Sequence, residues 1–355
     1  MTTSGDSSKS TTAHTALSEI DDDGAFRRTA SSFTSTIEVG GRFEPEANRY
    51  HLYVALACPW AAGTLAALKH KGLDSIVGYS VVHPTWRRTR PDIEGDEHCG
   101  WHFANPGDPP VQNSNGYGSF DCDDALIPDR VNGAKTIRDL YEMAGDTSGK
   151  YSTPLLWDRK EKTIVNNESM LILKIFNEAF CNLLGSEGED TDRPNLFPPD
   201  LQSQAEEWNE LIYNAVNNGV YKCGFATSQS AYETAHSELF AALDKLEAHF
   251  GESGHTFLMG DTLTWLDIRL YCTLVRFDPV YVIYFKTSHK RIGSDYPNLL
   301  KFVRACYREA AIRDTTNIKH IKMHYFTSHP ALNAYGIIPV SNGPPLETST
   351  EGEHQ

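Results

Sequence analysis

The sequence lacks the features by which membrane-spanning, secreted and nucleic-acid-binding chains are usually recognised. No apolar run approaches the roughly 18 residues that a helix needs to cross a bilayer. Residues 1–20 contain no apolar stretch of the kind that a signal peptide requires. Positive charge is scarce, because 32 Lys and Arg residues stand against 47 Asp and Glu residues, which gives a net charge of −15. Since phosphate recognition needs a basic face, this balance argues against nucleic acid or an anionic membrane as a partner.

Cysteine is present, but not in the pattern of a disulfide framework. The seven cysteines lie at positions 58, 99, 122, 181, 223, 272 and 306. Their number is odd, and no two of them have Cys-x-x-Cys spacing. Together with the missing signal peptide, this predicts free thiols in a reducing compartment, which we expect to be the cytoplasm.

The first half of the sequence has the pattern of a small α/β domain at about 45–185. Apolar, β-prone runs predict strands, and an Ala- and Leu-rich stretch that begins with proline and ends at a glycine predicts a helix. The predicted elements are, in order, strand 51–57, a helix from Pro59 that ends before Gly72, strand 75–83, a hairpin of 153–158 and 163–167, and helix 168–180. The order is therefore β-α-β, a long insertion, and β-β-α.

The second half of the sequence has the apolar spacing of helices. A capping box, Ser230-Ala-Tyr-Glu233, predicts the start of a long helix that Gly251 ends. Thr264-Trp-Leu-Asp267 resembles a second capping box, with Asp in place of Glu. The predicted helices of this half are 230–250, 264–275 and 296–310. We therefore expect an all-α domain at about 195–332.

Three segments lie outside these patterns. Residues 1–23 are rich in Ser and Thr and poor in apolar groups, which predicts a disordered tail. The C-terminal extension, 333–355, has the same character after about Asn342. The insertion at about 85–145 is rich in Gly, Pro, Asn and Asp and is long for a connection, which favours a functional role or ordering by a partner.

Cys58 is the most informative single residue. It lies between a predicted strand and a helix whose first residue is Pro59. The free N–H groups and the positive end of the dipole at a helix N-terminus favour thiolate over thiol. Ala61 stands where a second cysteine would complete Cys-x-x-Cys, so one-thiol exchange with an external thiol is the natural chemistry. On position alone, a buried structural thiol is an equally good interpretation.

Two further positions fit such a site. Thr153-Pro154 precedes a strand, where a thioredoxin-like fold has a cis proline and offers the backbone of the preceding residue to a peptide-like ligand. Glu168 and Ser169 lie at a strand-to-helix junction. Glu168 could accept the ammonium of a γ-glutamyl group, and Ser169 could donate to its carboxylate. The alternative is that both residues only cap their helix.

Five segments, in order, resemble the signatures of one enzyme family. They are RYHLYVALACPWA (49–61), NNES (166–169), VNNGVYKCGFATSQ (216–229), LVRFDPVY (274–281) and KHIKMHYFTSH (319–329). On these segments the chain resembles the Xi-class glutathione transferases, the S-glutathionyl-hydroquinone reductases, over about 25–340. The resemblance implies a glutathione transferase fold: a thioredoxin-like domain at 24–190 that carries the insertion, and a helical substrate-binding domain at 195–332. It also implies a homodimer.

The resemblance implies roles for individual residues. Cys58 is the nucleophile. The residues that match the family's glutathione contacts are Trp101, Lys150, Thr153, Glu168 and Ser169. The tyrosines that match the hydroquinone pocket are Tyr221 and Tyr325, with Tyr281 as a third, and the first two could also supply a proton. Without the resemblance, core packing is the more common role of such tyrosines.

These observations predict reduction of S-glutathionyl-hydroquinones with glutathione as co-substrate, through a mixed disulfide on Cys58. Two alternatives stay open. One is an omega-like thiol transferase or dehydroascorbate reductase, which would use the same cysteine. The other is a non-catalytic carrier of aromatic ligands, which would not need that cysteine.

The sequence predicts no metal site. His320 and His324 lie four residues apart and could face one ion, but no third ligand is evident.

Arg276 and Asp278 are interpreted as a structural pair at a helix end.

Overall fold

A computed structural model describes residues 19–184, 195–330, 332–340 and 343–347 of the chain. The strands within these residues are β1 (Tyr50–Val54), β2 (Gly78–Val81), β3 (Arg87–Arg88), β4 (Cys99–Gly100), β5 (Leu155–Asp158) and β6 (Thr163–Asn166). The helices are α1 (Pro59–His70), α2 (Ile137–Met143), α3 (Ser169–Glu178), α4 (Gln202–Leu211), α5 (Gly219–Phe225), α6 (Gln229–Ser253), α7 (Trp265–Arg276), α8 (Val282–Tyr284), α9 (Ile292–Asp295), α10 (Pro297–Arg308), α11 (Ala310–Arg313) and α12 (Ile318–Thr327). Two π-helical turns, Ile212–Asn217 and Phe277–Tyr281, follow α4 and α7.

The first domain is built on a four-stranded mixed sheet in the order β2-β1-β5-β6. Strand β1 runs parallel to β2 and antiparallel to β5, and β5 runs antiparallel to β6. All five residues of β1 are buried, as expected of a central strand with an unbroken apolar run. Because successive residues alternate between faces, Leu52 joins a core with α1 and α3, and Tyr53 joins another with α2. Helices on both faces of the sheet confirm the predicted α/β domain.

The second predicted strand, 75–83, is shorter in the structure. Gly72 has a φ of 66° and follows the end of α1, as predicted. Residues Leu73–Ser75 then form a 3-10 turn, and the strand begins only at Gly78, opposite His51. The chain needs this turn because it leaves a helix on one face and must enter the plane of the sheet.

The described residues from 195 onward contain helices and no strand, apart from one bridge between Phe257 and Gly260, which agrees with the predicted all-α domain. The capping box at the start of α7 is confirmed. The Asp267 carboxylate accepts hydrogen bonds from the backbone N–H groups of Thr264 and Leu258, both at 2.8 Å. The Thr264 hydroxyl donates to the same carboxylate at 2.6 Å. This cap fixes the start of the helix that faces the first domain.

We expect Asp267→Ala to lower the free energy of unfolding by about 1–3 kcal/mol, because it leaves buried donors without an acceptor. Burial raises the pKa of Asp267 to about 6. The folded state therefore binds a proton more tightly than the unfolded state, and the side chain contributes more to stability at pH 4 than at pH 7. Urea unfolding at both pH values measures this. The exposed Asp261→Ala serves as control, and equal effects of the two variants would contradict the prediction.

The boundaries predicted for α6 are wrong at both ends. The residue that caps the helix is Ser228, in place of the predicted box at 230–233, because its extended backbone lets its Oγ accept an N–H group of the first turn. Gly251 lies inside the helix, and Gly254, with a φ of 66°, follows the last helical residue. A Cβ at position 251 would lie 2.9 Å from the Nδ2 of Asn298 in α10, so close packing explains the glycine there.

The predicted pair of Arg276 and Asp278 is also wrong. Asp278 accepts hydrogen bonds from the backbone N–H groups of Ile292 and Gly293, both at 2.8 Å, and so caps α9. Arg276 donates to backbone carbonyls of the first domain. Residues two apart on a helix point in different directions, which separates the two side chains.

The insertion at about 85–145 forms structure of its own. Strands β3 and β4 make an antiparallel ribbon, and α2 covers one face of the main sheet. The insertion also contacts the C-terminal extension, because the Asn113 side chain donates to the carbonyl oxygen of Ala334 at 3.0 Å. The insertion thus links the first domain to the C-terminal extension.

The two predicted tails are described only in part. Residues 1–18 and 348–355 lie outside the described residues. Residues 19–23 are described, and the side chain of Glu19 contacts the first domain. Across the described ranges, no helix combines the length and the apolar character that crossing a membrane requires.

Candidate active site

Cys58 lies at the junction predicted for it. It is the N-cap residue of α1, and Pro59 is the first residue of that helix. The side chain is half-buried, and its Sγ lies 3.5 Å from the carbonyl oxygen of Thr153. The thiol is therefore held at a helix N-terminus and remains partly open, which is the environment of a reactive cysteine.

The peptide bond between Thr153 and Pro154 is cis, which confirms the prediction. It lies just before β5, next to the end of β1 from which the chain runs to Cys58. Thr153 therefore presents its backbone beside the thiol. A backbone contact of this kind does not depend on which side chain stands at the position.

A cavity of about 240 Å³ opens beside Cys58. Six of the residues named from the sequence line it: Cys58, Trp101, Lys150, Thr153, Tyr221 and Tyr325. Trp101 comes from the insertion, Tyr221 from α5 and Tyr325 from α12. The structure thus brings both domains and the insertion together at one thiol.

A groove of about 550 Å³ continues from this cavity. Glu168 and Ser169 line it, and Lys150 and Thr153 line both spaces. Glu168 also caps α3, because its carboxylate accepts the backbone N–H of Leu171 at 2.8 Å. The cap and the position in the groove are therefore compatible. The predicted glutathione-binding residues therefore line two adjoining spaces.

Three tyrosine hydroxyls form a chain beside the cavity. The hydroxyls of Tyr221 and Tyr325 are 2.7 Å apart, and those of Tyr281 and Tyr325 are 3.2 Å apart. Tyr281 is completely buried and is not among the lining residues, so the structure places it behind Tyr325 and not in the predicted pocket wall. Burial raises the pKa of Tyr325 well above its ordinary value, so this phenol is protonated at neutral pH.

The aromatic wall also contains three rings that were not predicted from the sequence to line the pocket: Trp86, His324 and His329. The ring of His324 stacks on Trp101 with 4.4 Å between centroids, and Trp86 meets Trp101 edge to face at 5.5 Å. Burial lowers the pKa of His324 well below its ordinary value and that of His329 to about 4, so both rings are neutral at pH 7. Both histidines lie in the same segment as Tyr325, which was the available signal. Flat neutral rings suit an aromatic ligand.

Two arginines of the cleft were also missed, because neither belongs to a recognisable motif. The guanidinium of Arg28 lies 5.3 Å from the centroid of Trp60 and 5.1 Å from that of Tyr221. Arg269, in α7, lines the groove. Burial lowers the pKa of Arg269 to about 10, although the negative charge of Glu168 opposes this shift. Since this pKa is still well above 7, the Arg269 side chain is a cation at neutral pH. The groove therefore carries positive charge that suits the carboxylates of a peptide.

Lys150 is paired in this structure. Its ammonium contacts the carboxylate of Glu19 and donates to the hydroxyl of Thr29 at 2.8 Å. Burial opposes ionisation of Glu19, but hydrogen bonds from Lys150 and Thr29 hold the pKa of Glu19 below its ordinary value. A segment predicted from composition to be disordered thus places a carboxylate in the wall of the cavity.

The histidines weighed as metal ligands have other partners. His320 is hydrogen-bonded through Nε2 to Asp123 at 2.9 Å, and His324 through Nδ1 to the carbonyl oxygen of Pro84 at 2.9 Å. Within the described part of the chain, no three His, Cys, Asp or Glu side chains are grouped so that they could hold a metal ion.

A mixed sheet with a cysteine at the start of its first helix, followed by a helical domain, is the architecture of a glutathione transferase. Residues 229–305 match the family profile described as Glutathione S-transferase, C-terminal domain. The glutathionyl-hydroquinone reductase YqjG of Escherichia coli is 41% identical over 326 residues, which cover 89% of each chain.

Two solved structures of similar proteins agree with this class. The glutathione transferase Xi of Phanerochaete chrysosporium is 43% identical, with a TM-score of 0.77 over 91% of this chain and 94% of that one. The Xi glutathione transferase ECM4 of Saccharomyces cerevisiae, solved in complex with glutathione, is 35% identical, with a TM-score of 0.79 over 90% of this chain and 99% of that one. The chain belongs to the Xi class of the glutathione transferases, which confirms the predicted family and fold.

Proposed function

We propose that the protein reduces S-glutathionyl-hydroquinones to hydroquinones, with glutathione as co-substrate. The observation that carries the proposal is that a groove of about 550 Å³ adjoins the aromatic cavity that contains Cys58. The two spaces share Thr153, whose carbonyl oxygen lies 3.5 Å from the Cys58 sulfur. The name of the Escherichia coli relative and the glutathione in the yeast structure support it.

In this proposal, glutathione lies in the groove with its sulfur toward Cys58. The Glu168 carboxylate accepts a hydrogen bond from the ammonium of the γ-glutamyl group. Ser169, at the N-terminus of α3, donates to the carboxylate of the same γ-glutamyl group. The backbone of Thr153 pairs with the backbone of the ligand. Trp101 lies along the ligand, and Lys150 contacts it near the cavity.

The proposed reaction has two steps. The Cys58 thiolate attacks the glutathione sulfur of the substrate, and the bond between that sulfur and the ring carbon breaks. The electron pair stays on the carbon, which takes a proton supplied through Tyr325 or Tyr221, and the hydroquinone leaves. A second glutathione thiolate then attacks the glutathione sulfur of the mixed disulfide, which gives glutathione disulfide and the free Cys58 thiolate. In the net reaction the ring carbon is reduced, and the thioether sulfur of the substrate and the thiol sulfur of the second glutathione are oxidised to one disulfide.

Initial-rate kinetics with S-glutathionyl-hydroquinone and glutathione tests the proposal. Parallel double-reciprocal lines are expected, because the first product leaves before the second substrate reacts. Dehydroascorbate, assayed in parallel, is expected to give a kcat/KM at least about a hundredfold lower. The reverse preference would favour an omega-like thiol transferase. Binding of aromatic compounds without turnover would favour the carrier.

We expect Glu19→Gln to lower the KM for glutathione by about three- to tenfold, because Glu19 competes with a ligand carboxylate for Lys150. The kcat is expected to stay within about twofold, since Glu19 is not needed for either chemical step. Asp22→Asn is the matched control, because Asp22 is an exposed acid of the same segment. A KM that stays the same or rises in Glu19→Gln would contradict the competition.

We also propose a homodimer in a reducing, cytoplasmic compartment. All seven cysteines lie in the described residues and are free thiols, which supports a reducing environment. The homodimer is proposed from the resemblance to the family. Light scattering coupled to gel filtration tests it, with twice the chain mass expected.

A further inference from the structure

The side chain of Arg276 crosses from the helical domain to the segment that leads into Cys58. Its Nε donates to the carbonyl oxygen of Ala57 at 3.0 Å, and its Nη2 donates to that of Leu56 at 2.9 Å. A third bond, from Nη1 to the carbonyl oxygen of Cys272 at 2.6 Å, holds the guanidinium against its own helix. The guanidinium is therefore held between its own helix and the segment that leads into Cys58.

The charge of Arg276 is buried, and no carboxylate among the residues that the structure describes pairs with it. The residue is 1% exposed, and all three of its acceptors are neutral carbonyls. By contrast, the buried Arg49 pairs with Asp158 at 2.6 Å and the buried Arg138 pairs with Asp96 at 2.7 Å. A buried charge without a counter-ion opposes folding, so stability alone does not explain an arginine here.

The position of the guanidinium connects it to the reaction. The carbonyl of Ala57 belongs to the peptide group whose nitrogen is that of Cys58. Turning this peptide plane turns the bond from Cα to Cβ of the cysteine, and with it the direction of the sulfur. The guanidinium also lies near the tyrosine chain, where its charge opposes the rise that burial causes in the pKa of Tyr325.

We propose that Arg276 is a positioning residue of the Cys58 site: by binding the carbonyls of Leu56 and Ala57, it aims the Cys58 sulfur into the ligand cleft. It does not touch ligand, since it lines neither the cavity nor the groove. The inference rests on the proposed thiol chemistry, but it can be tested without any hydroquinone.

The test compares Arg276→Lys with wild type in the rate of alkylation by iodoacetamide, resolved by site with mass spectrometry. Cys99 is the internal reference, because it is half-buried, lines the same cavity and makes no contact with Arg276. Lysine keeps the charge but cannot bind both carbonyls with a planar fork. We expect the ratio of the Cys58 rate to the Cys99 rate to fall about tenfold. With glutathionyl-hydroquinone, kcat should fall similarly and the KM for glutathione should stay within about twofold.

Arg49→Lys is the matched control, because it changes a buried arginine far from the cleft and is expected to keep the wild-type ratio. An unchanged ratio in Arg276→Lys overturns the proposal. A variant that does not fold, or in which the buried Cys223, Cys272 and Cys306 become as reactive as Cys58, also overturns it, because the role would then be structural. If the wild type reduces no S-glutathionyl-hydroquinone, the proposed function fails, while the alkylation ratio still decides the role of Arg276.

Discussion

Replacing Cys58 with serine should lower kcat/KM for S-glutathionyl-hydroquinone by about a thousandfold or more. A serine hydroxyl is not ionised at neutral pH at this position and cannot form the mixed disulfide. The groove proposed to hold glutathione is lined by other residues, so the Kd for glutathione should stay within about twofold. Steady-state kinetics and calorimetric titration measure the two quantities separately.

Cys181→Ser is the control for this prediction. Cys181 is half-buried like Cys58, but its Sγ donates to the carbonyl oxygen of Asn177 at 3.4 Å and it lies outside both spaces of the cleft. The control should keep the wild-type rate. A Cys58→Ser protein that retains more than about a tenth of the wild-type rate would rule out the cysteine as nucleophile.

Tyr325→Phe should lower kcat by about a hundredfold, because it removes a hydroxyl proposed to deliver the proton to the departing ring carbon. Tyr325 is the central member of the hydroxyl chain, and its loss also leaves Tyr221 and Tyr281 without their shared partner. The KM for glutathione should change little, since the ring still fills its place in the wall. Initial rates at saturating glutathione measure the change.

The matched control is Tyr271→Phe, which removes a buried hydroxyl that contacts Thr316 at 3.0 Å and lies outside the cleft. It should lower stability without changing kcat.

The proton donor must be protonated to act, and burial raises the pKa of Tyr325. The alkaline loss of kcat should therefore lie above the ordinary tyrosine value near pH 10. A loss of kcat centred near pH 8 would exclude this phenol as the donor.

The parts of the site that could be predicted from the sequence are those with a local signal. A proline after the cysteine at the end of an apolar run indicated the position of Cys58. A Thr-Pro pair before a strand indicated the cis bond. Trp101, Lys150, Tyr221 and Tyr325 came only from the family resemblance, because the fold brings them to the cavity beside Cys58 from distant parts of the chain.

The features that the sequence did not show depend on contacts between distant segments. Glu19 reaches Lys150, 131 residues further along, from a segment whose composition indicated disorder. Arg276 binds carbonyls 219 and 220 residues away, and a backbone acceptor leaves no pattern in the sequence. Gly251 was interpreted as a helix stop because nothing local indicates that Asn298 packs against it.

The central claim is that Cys58 takes the glutathionyl group from an aromatic thioether. A single-turnover experiment tests it most directly, in which the wild-type protein is mixed with limiting S-glutathionyl-hydroquinone without free glutathione. Peptide mass spectrometry then locates any glutathionyl group on the protein, and chromatography measures the released hydroquinone. We expect one glutathionyl group on Cys58 and one equivalent of free hydroquinone, and neither with Cys58→Ser. Hydroquinone released without an adduct, or an adduct on Cys99 in place of Cys58, would contradict it.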